Sequence, residues 1–196
     1  MSERLPLFPL NTVLFPDGLL PLRIFEARYM DMVTRCMREG SSFGICLIAA
    51  GLEVGETAMP HEVGTEARIE NWDMTEPGVL SIMVRGARRF RVVDHEVERD
   101  GLLNGEVAWL VEPPSQAVPE AQADILPLLK VLAAEAGERM PLPHHFDDAA
   151  WVGARYAELL PIPALARQRL LELDDVQSRL EIMQQFLQQH GLLDKT

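Results

Sequence analysis

The side chains able to do chemistry are few and poorly spaced for it. His144, His145, Asp147 and Asp148 form the one run dense in metal-capable groups. Adjacent residues rarely aim at one ion, and the i, i+4 histidine spacing by which a helix presents two ligands is absent. His144 and His145 are therefore weak metal candidates; a polar loop with a capping aspartate accounts for them better, and neither metal nor cofactor is expected. His61, His95 and His190 stand singly. Ser2, Ser41, Ser42, Ser81, Ser115 and Ser178 lie in no GxSxG or SxxK setting, so acyl transfer is not indicated. Lys130 and Lys195 are the only lysines, and neither follows a glycine in a phosphate-binding loop. Lys130 sits in a helical run and Lys195 beside the last residue, which makes both poor Schiff-base or Ser-Lys groups. No catalytic residue is expected.

Positive charge is concentrated instead in arginine. Arg85, Arg88, Arg89 and Arg91 form the densest cluster. On a strand, Arg89 and Arg91 share the face opposite Phe90 and Val92, so two guanidinium groups should project together as a candidate anion or partner site. Glu66, Glu70, Glu96 and Glu98, on the same or neighbouring strands, are the competing explanation, because they could neutralise the cluster by cross-strand ion pairs. Trp72 and Met74, next to the turn at Glu76-Pro77-Gly78, are candidates for an apolar binding mouth, with packing in the sheet as the alternative.

The elements that must position these groups follow from composition and period. The chain has 196 residues, 47% hydrophobic and 24% charged, with a net charge of -12. That length can bury a core without disulfides or metal. The acidic balance argues against a DNA binder, which needs a clustered positive face. Cys36 and Cys46 form no CxxC pair, so no disulfide framework or zinc ribbon is indicated. The apolar start is broken by Pro6, Pro9, Pro16 and Pro21, whereas a membrane span needs about 20 mostly apolar residues. No membrane association and a cytoplasmic location are expected.

Hydrophobic period is two up to about Pro114 and 3.6 after about Pro119. Short strands are predicted at 5–7 and 12–15, with prolines at edges or strand starts. Phe25, Tyr29, Met32, Val33, Cys36 and Met37 then predict an amphipathic helix stopped at Gly40. Phe43 to Ala49 reads as a buried strand. Further strands are expected at 64–73, 78–85, 88–98 and 103–111, with Gly86 punctuating the second and third. The predicted fold class is α+β: an antiparallel sheet curled into a barrel with one packed helix over residues 1–114, a Pro-rich hinge at 112–119, and a helical bundle over 120–196. Its helices are placed at 120–138, 148–160, 163–173 and 176–190, with Asp147 or Asp148 and Asp174 or Asp175 as caps and Pro127 as a kink or restart.

The segments LPLFPLNTVLFP and IFEARYMDMV, followed by EVGTEARI and VLSIMVRGARRFRVV, resemble the amino-terminal substrate-binding domain of the ATP-dependent Lon protease, especially its stand-alone bacterial relatives. Through ELLPIPALARQRLLELDDVQSRLEIM the resemblance covers essentially the whole chain. It implies a PUA-like pseudo-barrel followed by a helical bundle. It also implies a non-catalytic protein- or peptide-binding module, with unfolded or apolar polypeptide segments as partners and an adaptor role in protein quality control. An RNA-binding module using Arg85 to Arg91 is the alternative, and self-association through the helical half is compatible with both. With no Walker loop and no Ser-Lys dyad, no peptidase activity is expected. The matched residues Pro9, Pro16, Glu26, Arg28, Tyr29, Gly64, Thr65, Gly86 and Phe90 read mostly as fold determinants. Trp72, Met74, Arg85, Arg89 and Arg91 are the candidate partner-binding residues.

Overall fold

The computed structural model describes residues 3–140 and 142–193. The chain divides into two compact units, residues 1–111 and 112–196. The first holds β1 (Glu3–Leu10), β2 (Leu19–Ile24), α1 (Ala27–Glu39), β3 (Phe43–Ala50), β4 (Met59–Glu76), β5 (Val79–Val97) and β6 (Leu103–Trp109). The second holds α2 (Leu126–Ala136), α3 (Ala149–Leu159), α4 (Ala164–Glu172) and α5 (Val176–Gln189), with single 3₁₀ turns at Glu120–Ile125 and Gly137–Arg139. The protein is α+β.

The strands of the first unit run in the order β2-β5-β4-β3-β1-β6, and β5 also pairs with β6, so the sheet closes on itself and β2 extends it alongside β5. The sheet is mixed, not antiparallel as the short turns suggest, because β1 pairs with β3 in parallel. The chain between them carries β2 and α1, a connection long enough to bring β3 back in the same direction as β1.

Neighbouring residues on one strand enter different cores, so the sheet buries both faces. Leu7, Cys46, Phe90, Leu103 and Val107 form the smaller cluster. Phe8, Ile45, Ile82 and Val84 join Tyr29, Met32, Val33 and Cys36 of α1 in the larger one. The apolar stripe on α1 is thus the lid of the larger core, and Gly40 ends the helix in the left-handed conformation, with φ 63°.

Three local expectations are corrected. Residues 12–15 form no strand; Val13, Leu14 and Phe15 are buried in an irregular segment. Gly86 is not a turn but lies inside β5, where an added Cβ would stand 2.1 Å from the Phe15 carbonyl oxygen. The two predicted strands on either side of it are therefore one strand of 19 residues, with a glycine where another backbone presses in. Pro6 and Pro9 lie in a strand with neighbours on both sides rather than at an edge. β1 pairs with β6 over Glu3 to Leu7 and with β3 over Leu7 to Leu10, so each proline falls where only one side of the strand is bonded.

In the second unit α3 touches α2, α4 and α5. Its near-continuous burial, from Trp151 to Ala157, is the pattern of a helix surrounded by others. Asp148 caps it by accepting from the Trp151 amide at 3.0 Å, and Asp175 caps α5 by accepting from the Ser178 amide at 3.1 Å. Pro127 stands in the first turn of α2, which restarts after the 3₁₀ turn. The Pro-rich segment is bonded to this unit: the Ala149 amide donates to the Gln116 carbonyl at 2.8 Å.

Candidate functional site

A groove of about 1010 Å³ in the first unit runs between the start of β1, the end of α1 with its following loop, and β4. Met37, Ile69 and Trp72 are among its apolar lining residues. The geometry follows from the sheet register. Trp72 lies opposite Ile82, so the two project to the same side, yet Ile82 is 3% exposed and Trp72 is 55% exposed. The buried face therefore runs out along the hairpin into solvent. Leu22, Met30, Met37 and Ile69 mark the transition, half-buried against the larger core. Met74 is 53% exposed beyond them. The β4–β5 register shifts along this arm, between Thr65 and Ala67, between Ile69 and Asn71 and between Asp73 and Glu76.

The arginine cluster does not project as a unit. Arg89 is only 2% exposed, whereas Arg91 is exposed, so the two guanidinium groups do not share a solvent face. The reason lies opposite Arg89 in the register: Thr65 is fully buried and donates to the Leu14 carbonyl at 2.6 Å, which lays residues 13–15 over this part of the face. The remaining guanidinium groups meet carboxylates. Arg85 pairs with Glu70, Arg88 with Glu66 at 3.1 Å, and Arg91 with Glu62 at 3.2 Å. Arg88 also lies 3.8 Å from the centre of the Trp109 ring. Of the glutamates expected as counter-charges, Glu66 and Glu70 serve this cluster and Glu96 pairs with Arg4.

Glu66 is the best-held carboxylate of the group. Burial alone would raise its pKa, but hydrogen bonds from Ser42 and Arg88 and the charges of Arg68 and Arg88 outweigh that and hold it below the ordinary value of 4.5.

The residues that carry the family resemblance occupy load positions in the fold. Glu26 precedes α1 and pairs with Arg28 at 2.9 Å. Arg28, 7% exposed, also donates to the carbonyls of Gly55 and Gly101 and to Thr57, tying the helix start to two loops. Tyr29 stacks on Phe8 with ring centres 3.9 Å apart. An added Cβ on Gly64 would stand 2.7 Å from the Phe90 ring. Pro9 is buried in β1 and Pro16 is half-buried in the loop that crosses Gly86.

The histidine run is held by aromatic packing. His144 Nε2 lies 2.8 Å from the Met140 carbonyl oxygen, and the His144, His145 and Phe146 rings each lie within 6.1 Å of the Trp151 ring centre. Among the described residues no three His, Cys, Asp or Glu side chains gather in metal-binding geometry, and no helix is long and apolar enough to cross a membrane. Lys130 Nζ lies 5.7 Å from the Phe146 ring centre, and Lys195 lies outside the described residues. Burial pushes the Cys46 thiol up to about 12, so it is not a nucleophile at neutral pH. Sequence reasoning missed Arg35, Met37, Glu39 and Arg68 as groove residues. On the sequence they are an ordinary helix end and an ordinary strand position, and only the fold brings α1 and β4 to one groove.

A mixed, self-closing sheet with an amphipathic helix over one face, followed by a helical unit, defines the class. Residues 4–189 match the family model of the ATP-dependent protease La (LON) substrate-binding domain, and the chain belongs to that family. It is 27% identical over 194 residues to Lon protease 2 of Herpetosiphon aurantiacus, an alignment covering 94% of this chain and 24% of the relative. With Lon protease 2 of Myxococcus xanthus the identity is 26% over 202 residues, covering 95% and 24%. The chain thus spans about a quarter of the length of these curated relatives. Among solved structures, a Lon N-terminal domain protein from Xanthomonas campestris superposes with a TM-score of 0.78 at 41% identity, covering 92% of this chain and 96% of that one. The N-terminal domain of Mycobacterium avium complex Lon protease shares the fold, with a TM-score of 0.65 at 22% identity and coverage of 92% and 96%.

Proposed function

We propose that this chain is a non-catalytic polypeptide-recognition module, acting as an adaptor in protein quality control, that takes unfolded or apolar segments on the surface headed by Trp72 and Met74. Membership of the substrate-binding family supports recognition as its task. The single observation that carries the site is the exposure of Trp72 and Met74 on the same hairpin that fully buries Thr65 and Phe90 further along. Large apolar side chains left in solvent beside a groove are the usual mark of a binding surface. In this reading the closed sheet is a PUA-like pseudo-barrel over residues 1–114, the helices of 120–196 form a bundle, and the module works in the cytoplasm without peptidase activity of its own. The RNA-binding alternative draws little support from β5, where Arg85, Arg88 and Arg91 face glutamates and Arg89 is buried.

Calorimetric titration with an unfolded model polypeptide tests this. Saturable binding that is lost in the Trp72→Ala, Met74→Ala double variant is the expected result. No heat of binding at high micromolar concentration would sink the reading.

A further inference from the structure

We propose that the unfolded segment is held in extended form, as an added strand on the free edge of β2. This rests on the polypeptide-recognition reading and adds to it the way the segment is gripped. β2 is the end strand of the order, paired on one side with β5 over Leu19 to Ile24. The direction of its backbone groups follows from the register. The Gly86 amide donates to the Gly18 carbonyl at 2.9 Å, one step before the Leu19–Arg85 pair, and antiparallel pairing alternates from there. Leu20, Leu22 and Ile24 therefore turn their backbone groups toward β5, whereas Leu19, Pro21 and Arg23 turn theirs outward. Among the described residues no strand pairs with that outer side, and Pro21 and Arg23 are exposed.

The edge thus offers N–H donors at Leu19 and Arg23 and carbonyl acceptors at Leu19, Pro21 and Arg23. The partner it fits is an extended backbone, the one feature that unfolded segments of every sequence share. Pro21 argues against a second copy of β2 as the occupant: with Pro21 opposite Pro21, each carbonyl would face a ring that has no N–H. A foreign segment brings its own N–H to that place. Selection among side chains comes from the pocket alongside. Five consecutive residues, Pro21 to Phe25, line a cavity of about 240 Å³ together with Phe8, Leu10 and Tyr29. Its charged residues have partners within the protein: Arg23 pairs with Glu76 at 2.7 Å, Glu26 with Arg28 at 2.9 Å, and Glu53 accepts from Asn11 at 2.8 Å. The side chains left over, among them Phe8, Leu22 and Phe25, suit an apolar side chain of the added strand. The edge also adjoins the surface headed by Trp72. Leu22, Ile82 and Trp72 lie in one row across β2, β5 and β4, and all three strands line a depression of about 420 Å³.

Amide hydrogen exchange, followed by NMR on the full chain with and without saturating unfolded model polypeptide, tests this. The Leu19 and Arg23 amides should exchange at least about tenfold more slowly in the complex, while those of Leu20, Leu22 and Ile24, already bonded to β5, change little. Pro21→Ala is the second probe. It gives an exposed edge position an outward N–H and should tighten polypeptide binding about threefold. Binding that leaves exchange at Leu19 and Arg23 unchanged, or a folded Pro21→Ala protein with unaltered or weaker affinity, would overturn strand addition and leave polypeptide recognition standing. No binding of the polypeptide would defeat both.

Discussion

The two ends of the β4–β5 hairpin are made by the same pair of strands and treated in opposite ways. At one end Phe90 is fully buried, and Gly44 and Gly64 leave so little room that an added Cβ would stand 2.5 Å and 2.7 Å from its ring. At the other end Trp72 and Met74 are more than half exposed. The strand pairing continues through both ends, so burial is decided by what packs on the hairpin: β1, β3 and β6 around Phe90, and an exposed arm at Trp72. Motif residues such as Tyr29, Gly64, Thr65 and Phe90 thus have little surface left to offer a ligand, whereas Trp72 and Met74 lie between the motif segments.

Truncating the buried end should have the largest effect. Phe90→Ala removes a ring from the centre of the smaller core and should cost about 4 kcal/mol, read from a denaturant unfolding midpoint. Gly86→Ala places a methyl group against the Phe15 backbone and should cost about 3 kcal/mol. A Gly86→Ala protein as stable as the parent would break the comparison, because it would show that the packed end tolerates expansion.

Glu66 gives an intermediate, pH-dependent test. Its folded-state pKa is lowered, so its contribution is fully present above the ordinary carboxylate value of 4.5 and is lost as pH falls through the lowered value. Glu66→Gln should cost about 2 kcal/mol at neutral pH, since it weakens hydrogen bonds from Ser42 and Arg88 to a buried charge. The parent and variant should converge in acid. A gap that is constant from neutral pH down through the acid range would remove the charged contacts from the account.

The same contrast decides how much was legible in the sequence. α1, with Tyr29, Met32, Val33 and Cys36 on one stripe, is a local 3.6-residue pattern and was readable, as were the caps to within one residue, Asp148 of the pair 147–148 and Asp175 of the pair 174–175. The parallel pairing of β1 with β3 was not, because nothing in either strand records the direction of a partner more than thirty residues away. Gly86 reads as punctuation when only its neighbours are known, and becomes a strand interior once Phe15 is seen crossing it. Arg89 fails for the same reason: alternation correctly places it opposite Phe90, but Leu14 covers that face as well. A period-two strand predicts two faces, and it does not say that only one of them is buried. Trp72 and Met74 were legible as candidates because they adjoin a turn, while the groove that Trp72 lines is built from β1, α1 and β4, which no local pattern marks as neighbours.

The smallest effect on stability should come from the exposed end, and it is the most informative. Trp72→Ala with Met74→Ala removes two side chains that are already largely hydrated, so thermal unfolding should shift by no more than about 0.5 kcal/mol for each. Polypeptide binding should nevertheless fall by tenfold or more, since a large aromatic anchor is where binding energy concentrates. That combination separates recognition from folding within one hairpin, because a purely structural role would move both readouts together. If the double variant keeps full affinity, the docking surface belongs elsewhere in the first unit. The next place to substitute is then the 240 Å³ pocket lined by Phe8, Tyr29 and the exposed Phe25 together with the charged Arg23, Glu26 and Glu53.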